Sequence, residues 1–485
     1  MIPFGDRAMR FAVPANAPRR RLAAELTALP GVRDVVLAEE VGCVVFGHDV
    51  TTDAERAAVA GVLAQQQSAR EDEPGTPHVI PVIYDGEDLD EVARTIGRTS
   101  ADVVALHSEA EYRVAMLGFL PGFAYLHGLP SELRLPRRAP RPRVPARSVA
   151  IAADYTGIYP FASPGGWHLL GRAPGFEAFG AGPAGAAALA IGDVVRFAPA
   201  PAEPSLPAPR QEPALPVPSG AHLEITRAAG FALLVDVGRP GRMHEGVPPG
   251  GPLVRSAFEH ANALAGNEAG ACALEITGTI EVTARGGSIT LADDEGGAVT
   301  LADGERHVVS TAGRARVRYL ALEGGIDAPV ILGGRGALLV AGIGRLFRRG
   351  DRLAPLLRSG ETRTAAPTAT TQTSALTDEP IAIMEGPDAA LLPRGALVTD
   401  DFRVSAASDR TGTRLEGHMS LPAPASAKST PMVMGAIELT PSGLIVFGPD
   451  HPTTGGYPVV AVVRSASLDR LFSRPIGAAI RFTFA

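Results

Sequence analysis

SPGGWHLLGR, Ser163 to Arg172, packs two adjacent glycines, the single tryptophan of the chain, a histidine and an arginine into ten residues. Pro164 fixes its own φ, whereas Gly165 and Gly166 are able to take positive φ. The stretch therefore reads as a sharply turning loop that feeds a strand and leaves two backbone N–H groups facing a carboxylate or phosphate. Trp167 supplies an apolar wall beside them. Taken alone, the same residues also read as a tight hairpin turn over a buried tryptophan. A second copy shifts the balance: Thr453 to Arg464, TTGGYPVVAVVR, again sets Thr454, Gly455, Gly456 and Tyr457 ahead of an apolar strand. Each copy is followed by the same closing strand, IGDVVRF from Ile191 and IGAAIRF from Ile476. The expectation is two similar barrels, mainly β with α+β subdomains, whose glycine-aromatic loops meet at one site.

Composition bounds the rest. With 485 residues, of which 45% are hydrophobic and 20% charged, the chain has ample core for about three domains. A net charge of −7 gives no electrostatic footprint for nucleic acid. Of the 45 basic residues only Lys428 is lysine, and no glycine loop precedes it, which excludes a P-loop and leaves little scope for Schiff-base chemistry. The histidines show no metal-ligand spacing. Cys43 and Cys272 read as reduced core residues of a cytoplasmic protein, and neither an apolar leader nor a membrane span is visible. Gly342 and Gly344 lack the third glycine of a dinucleotide fingerprint.

Along the chain, an α+β unit opens with a strand over 7–13, a helix over 18–29, strands through 35–46 and a helix over 52–68. A strand over 79–84 follows, then a helix with Asp88 at its N-cap and a helix from Ser100 to His107. The strand over 112–119 empties into GFLPGFAYLHGLP. Residues 199–218 hold eight prolines and read as an extended linker. The expected division is 1–198, a linker over 199–219, and 220–485. A helix is expected over 254–265, and a threonine-rich loop over 361–378.

GFLPGFAYLHGLP, VPARSVAIA and TGIYPFASPGGWHLLGR in the first part, with GPLVRSAFEHANALAGN, YLALEGGI, SDRTGTRL and TTGGYP in the second, resemble the paired B and C subunits of bacterial 5-oxoprolinase. The same families are the allophanate hydrolase subunits 1 and 2 and the carboxyltransferase domain of urea carboxylase and urea amidolyase. The resemblance implies cyclophilin-like barrels: subdomains C and D first, A and B second. It departs at Arg147, where the family shows glycine, and at Tyr155, where it shows glutamine. Val254 stands where an aspartate is expected, and Glu438 replaces glutamine.

The resemblance marks His107, Tyr112, Arg172 and Asp450 as candidate catalytic residues. Gly122, Phe123, Tyr125, Ser163, Gly165, Gly166, Trp167, Arg410, Arg414, Thr454, Gly455, Gly456 and Tyr457 are marked as binding residues. His107 reads equally as an acid or base and as a helix-end histidine bonded to a carbonyl. Arg172, Arg410 and Arg414 have the guanidinium geometry to clamp a carboxylate or phosphate, while Asp450 and Glu275 read as acids or as structural partners of arginine. The arm Arg137 to Arg143 reads as a solvated face, and His168 as pointing away from the loop. The implied activity is ATP-dependent hydrolysis of 5-oxo-L-proline to L-glutamate, with magnesium and a separate A subunit of the LamB/YcsF type. The alternatives are carboxyl transfer to urea or a related amide, and regulation of a histidine kinase. PMVMG has Val433 in the place of a biotinylated lysine, so any biotin rides on a partner. Self-association stays open.

Overall fold

In the computed structural model the strand after each glycine-aromatic loop closes a barrel. Residues 15–16, 49–51, 67–74, 183–184, 202–214, 357–378, 394 and 418–427 are left aside, and the structure describes the remainder of 1–485. Val194–Pro199 lies parallel to Pro77–Val82 and antiparallel to Tyr112–Leu117. Its buried Val195 and Phe197 point into the core. The seven-stranded sheet runs from His168–Arg172 at one end to Pro77–Val82 at the other. Two backbone hydrogen bonds of 2.9 Å between Ile83 and Arg172 bring those ends together. In the second part Phe482–Phe484 lies parallel to Ile381–Glu385, and Ala479–Ile480 forms the other end of the same eight-stranded sheet. One residue separates these two end strands, so the sheet returns on itself. Both barrels therefore share a rare feature, a first and a last strand paired in parallel, which demands that the whole barrel intervene between them.

Between the barrels lies a further sheet of seven strands, formed by residues 222–353. Its strand Ala273–Arg285 runs 13 residues, paired with His222–Val235 along its whole length, and four strands of five residues follow between Ile289 and Leu322. Gly278 lies within the long strand at φ 84, where a Cβ would lie 2.5 Å from the Ala229 carbonyl oxygen. It bends the ribbon and does not end it.

The front unit matches its expected β-α-β-β-α order, with helices Arg19–Thr27 and Asp53–Gln66. Leu22, Leu26 and Val59 cover one face of its sheet. The other face packs on the second barrel: Phe4, Ala8 and Cys43 share a core with Met432, Val433, Phe447, Val459 and Val462. Each large apolar side chain so buried contributes about 1.5–3 kcal/mol. Polar contacts fix the docking. Asp34 accepts the N–H groups of Gly241 (3.0 Å) and Met243 (2.9 Å), and Asp6 accepts the N–H and the hydroxyl of Ser465. The segment that begins the chain is thus built into its far end. Both cysteines are buried and unbridged, and burial pushes the Cys43 thiol up to about 12.

Most of the proline-rich linker and the threonine-rich run fall outside the described residues. No helix among the described residues is long and apolar enough to cross a membrane.

Candidate functional site

The two glycine-aromatic loops converge on Tyr125. Trp167 meets Phe123 and Tyr125 edge-on, with ring centroids 5.3 and 5.7 Å apart. From the second barrel, the Thr454 hydroxyl accepts the Phe119 N–H at 2.9 Å and bonds to Tyr125, which Ser429 also reaches at 3.4 Å. Gly118 has to be glycine because a Cβ would run into Thr454. The junction is packed. Ser163, Trp167, Thr453 and Thr454 are all buried.

The anion cradle expected at Gly165 and Gly166 is not what this geometry provides. Neither has positive φ. Gly166 accepts the Arg138 N–H at 2.8 Å, and a Cβ on it would lie 2.5 Å from the Arg138 carbonyl oxygen, so close approach of two chains selects glycine here. Most of the arginine arm is exposed, as a solvated face would be, Arg137 and Arg143 included, but two of its arginines are half-buried and fixed. Arg138 binds Asp88 (2.7 Å) and Glu91 (2.6 Å), and Arg141 binds Asp88 and Glu87. Asp88, busy with these and with the Leu169 N–H, does not cap its helix by its side chain. The capping box is instead at Thr99 and Asp102.

Other expected site residues stand elsewhere. His107 is wholly buried, with Nδ1 bonded to the Tyr84 hydroxyl and Nε2 to the Thr156 hydroxyl, each at 2.8 Å, and its ring stacked on Phe197. Burial lowers its pKa to about 3, and Tyr112 donates to the His107 carbonyl. Both are core groups whose polar atoms are engaged within the protein, which favours the structural reading of His107 over the catalytic one. Arg172 closes the first barrel through its backbone and pairs with Asp85 near the surface. Arg414 is exposed on the strand Gly412–Glu416. Neither joins Arg410. His168 turns away from the loop and bonds the Pro136 carbonyl. Gly122, at φ 76, donates to Glu245 and ties the two parts together.

Arg410 and Asp450 do come together, as a buried structural pair. The guanidinium binds Asp450 through Nε (2.8 Å) and Nη2 (3.0 Å), Glu275 through Nη1 (2.6 Å) and the Gly251 carbonyl through Nη2 (2.6 Å). Although burial works against the charge, Asp450 and Glu275 hold Arg410 protonated. Four of its five N–H donors are thus taken within the protein, which makes it a structural group and not a two-pronged clamp for a ligand. Glu275 also accepts the Leu253 N–H and the Tyr319 hydroxyl, which in turn accepts the Val254 N–H. The network thus fixes the turn Gly250–Gly251–Pro252 from below. Val254 begins the helix Arg255–Leu264 with no side chain able to cap it, and Asp469 supplies the missing cap from another helix, accepting the N–H groups of Arg255 (2.9 Å) and Ser256 (2.8 Å).

Glu438 lies under the second loop. It is buried, its carboxyl bonds the Tyr457 N–H, and a Cβ on Gly455 would stand 2.9 Å from its Oε1. Burial raises its pKa to about 7, against the pull of that N–H.

The fixed turn forms one wall of a cavity of about 450 Å³ between the front unit and the second part. The front unit contributes Arg7, Arg33 and Asp34, and the second part contributes Arg255, Asp469 and His451. His451 follows Asp450 directly. Its Nδ1 faces the Pro452 carbonyl at 2.8 Å and must donate, which leaves Nε2 as an acceptor without a partner among the described residues. Burial lowers its pKa to about 4, so the ring is neutral. Neither His451 nor Arg33 was singled out by sequence reasoning. GPDHP adjoins the second loop and held the only signal for the histidine, whereas nothing near Arg33 marks it.

The family model for the carboxyltransferase domain, subdomain C and D, matches residues 2–182, and that for subdomain A and B matches 245–484. The chain is 55% identical over 96 residues to the B subunit of 5-oxoprolinase from Haemophilus influenzae, covering 19% of this chain and 45% of that protein. It is 30% identical over 283 residues to the C subunit of 5-oxoprolinase from Escherichia coli K12, covering 54% of this chain and 90% of that protein. The chain thus spans less than half the length of the Haemophilus relative. The crystal structure of TTHA0988 superimposes with a TM-score of 0.86 at 33% identity, covering 98% of this chain and 99% of that one. The barrels, the loops that meet at Tyr125 and the matched segments agree, and the chain belongs to the carboxyltransferase-domain family, with subdomains C and D followed by A and B in one polypeptide.

Proposed function

We propose that the chain is the joined B and C component of an ATP-dependent 5-oxoprolinase that works with a separate A subunit. The observation that carries this reading is the cavity, to which both matched segments contribute: Arg33 and Asp34 come from the B-like part and Gly251, Arg255 and His451 from the C-like part. A site divided in this way gives a reason for the two parts to act together. In the reaction, the γ-phosphoryl group of ATP passes to the lactam oxygen, making C5 electrophilic. Water adds there and the C5–N bond breaks, with the nitrogen taking a proton. A second water hydrolyses the resulting acyl phosphate to glutamate and phosphate. The chain's own contribution is to bind and orient the lactam in the cavity between its two parts.

The name of the matched family supports a second reading, carboxyl transfer to urea or a related amide from a carboxybiotin-bearing partner. The two are separated by supplying the chain either with the A subunit, ATP and 5-oxoproline or with the carboxybiotin partner and urea. Glutamate from the first mixture and no carboxylated product from the second is the expected result. The reverse would replace the first reading by the second.

A further inference from the structure

The wall of the cavity carries an uneven set of polar groups. Its carboxylates already have donors: Asp34 holds the Gly241 and Met243 N–H groups, Asp469 those of Arg255 and Ser256, Asp6 the N–H and hydroxyl of Ser465, and Glu259 the Arg255 guanidinium at 2.6 Å. Arg33 is different. Half-buried, it makes no hydrogen bond or ion pair through its guanidinium among the described residues, and its charged neighbours are Asp34 and the like-charged Arg255 and Arg7. Burial, only partly offset by Asp34, lowers its pKa. A guanidinium partly withdrawn from water and with no acceptor of its own is ready for an anion that a ligand brings. His451 presents the opposite need, an imidazole nitrogen that can only accept. The same wall thus seeks an anionic acceptor and an N–H donor.

We infer that this cavity takes a small lactam bearing a carboxylate, with the carboxylate on Arg33 and the ring N–H on Nε2 of His451. The inference rests on the 5-oxoprolinase reading and gives that reaction its pocket. A volume of about 450 Å³ lies within the usual range of small-molecule sites, about 300–1,000 Å³.

The test is calorimetric titration of the full chain, alone and assembled with the A subunit, using three probes. These are 5-oxo-L-proline, 2-pyrrolidinone, which lacks the carboxylate, and N-methyl-5-oxoproline, which lacks the donor. The parent is expected to prefer 5-oxoproline to either analogue by about tenfold or more. Arg33→Gln should abolish the preference over 2-pyrrolidinone, Arg33→Lys should keep part of it, and His451→Phe should abolish the preference over the N-methyl compound. The analogue series on the unmodified chain reports on the pocket even if a variant fails to fold. A folded Arg33→Gln that binds 5-oxoproline as the parent does would overturn the pocket and leave the activity standing. A parent that binds none of the probes in either form, and forms no glutamate, would overturn both.

Discussion

Replacing Glu438 by glutamine separates the charge of this buried carboxyl from its shape. Glutamine keeps an oxygen for the Tyr457 N–H and removes the proton equilibrium. In the unfolded chain the carboxyl titrates near its ordinary 4.5, and in the folded protein burial raises this to about 7. Below the lower value both states are protonated and the group makes no difference. As pH rises from there to about 7 the unfolded state gives up the proton while the folded state keeps it, so stability falls through this window and levels off above it. At about 1.36 kcal/mol per pH unit the interval is worth about 3 kcal/mol. Urea unfolding of parent and Glu438→Gln, followed in parallel from about pH 4.5 to about pH 8, cancels every group the two share. The variant should be level with the parent at the acid end and about 3 kcal/mol more stable at the alkaline end. A difference that does not change with pH would refute the reasoning and place the carboxylate in a solvated or paired environment.

Three further outcomes follow from the packing. Arg410→Gln leaves Asp450 and Glu275 buried without their cation and should cost about 3–5 kcal/mol in denaturant unfolding, with parent-like stability as the contrary result. Gly166→Ala presses a Cβ on the Arg138 carbonyl and should lower stability by about 1–3 kcal/mol and the melting temperature with it; an unchanged melt would mean that the arm moves freely. Arg147 sits at φ 65, where a non-glycine residue costs about 1–2 kcal/mol, more than its surface pair with Glu177 returns, so Arg147→Gly should stabilise the protein by about 0.5–1 kcal/mol, and a drop in stability would show the pair to dominate.

The barrels were legible because strand closure repeats in the sequence. IGDVVRF and IGAAIRF place apolar residues at alternate positions in the same frame, and both strands pair in parallel with the first strand of their barrel. The sheet of 222–353 was less so, since a glycine inside a long strand has the same appearance as a turn. At the site, adjacency in sequence was a poor guide to access. His107 and Tyr112 carry reactive groups but face the core, and Arg410 gives three of its N–H groups to two acids 135 and 40 positions away. Arg33, whose guanidinium has no partner among the described residues, follows an ordinary valine in an ordinary strand, and only the docking of the front unit brings it to the same cavity as His451. Val254 was visible as a departure, but its compensation by Asp469 depends on a contact between helices that no local pattern records.

The most direct test of the account is a single time course in which ADP and glutamate are measured together after the chain, the A subunit, ATP and 5-oxo-L-proline are mixed. The account predicts that both appear in step and that omitting either the chain or 5-oxoproline stops both. ADP released at the same rate without 5-oxoproline, or consumption of ATP with no glutamate formed, would contradict it.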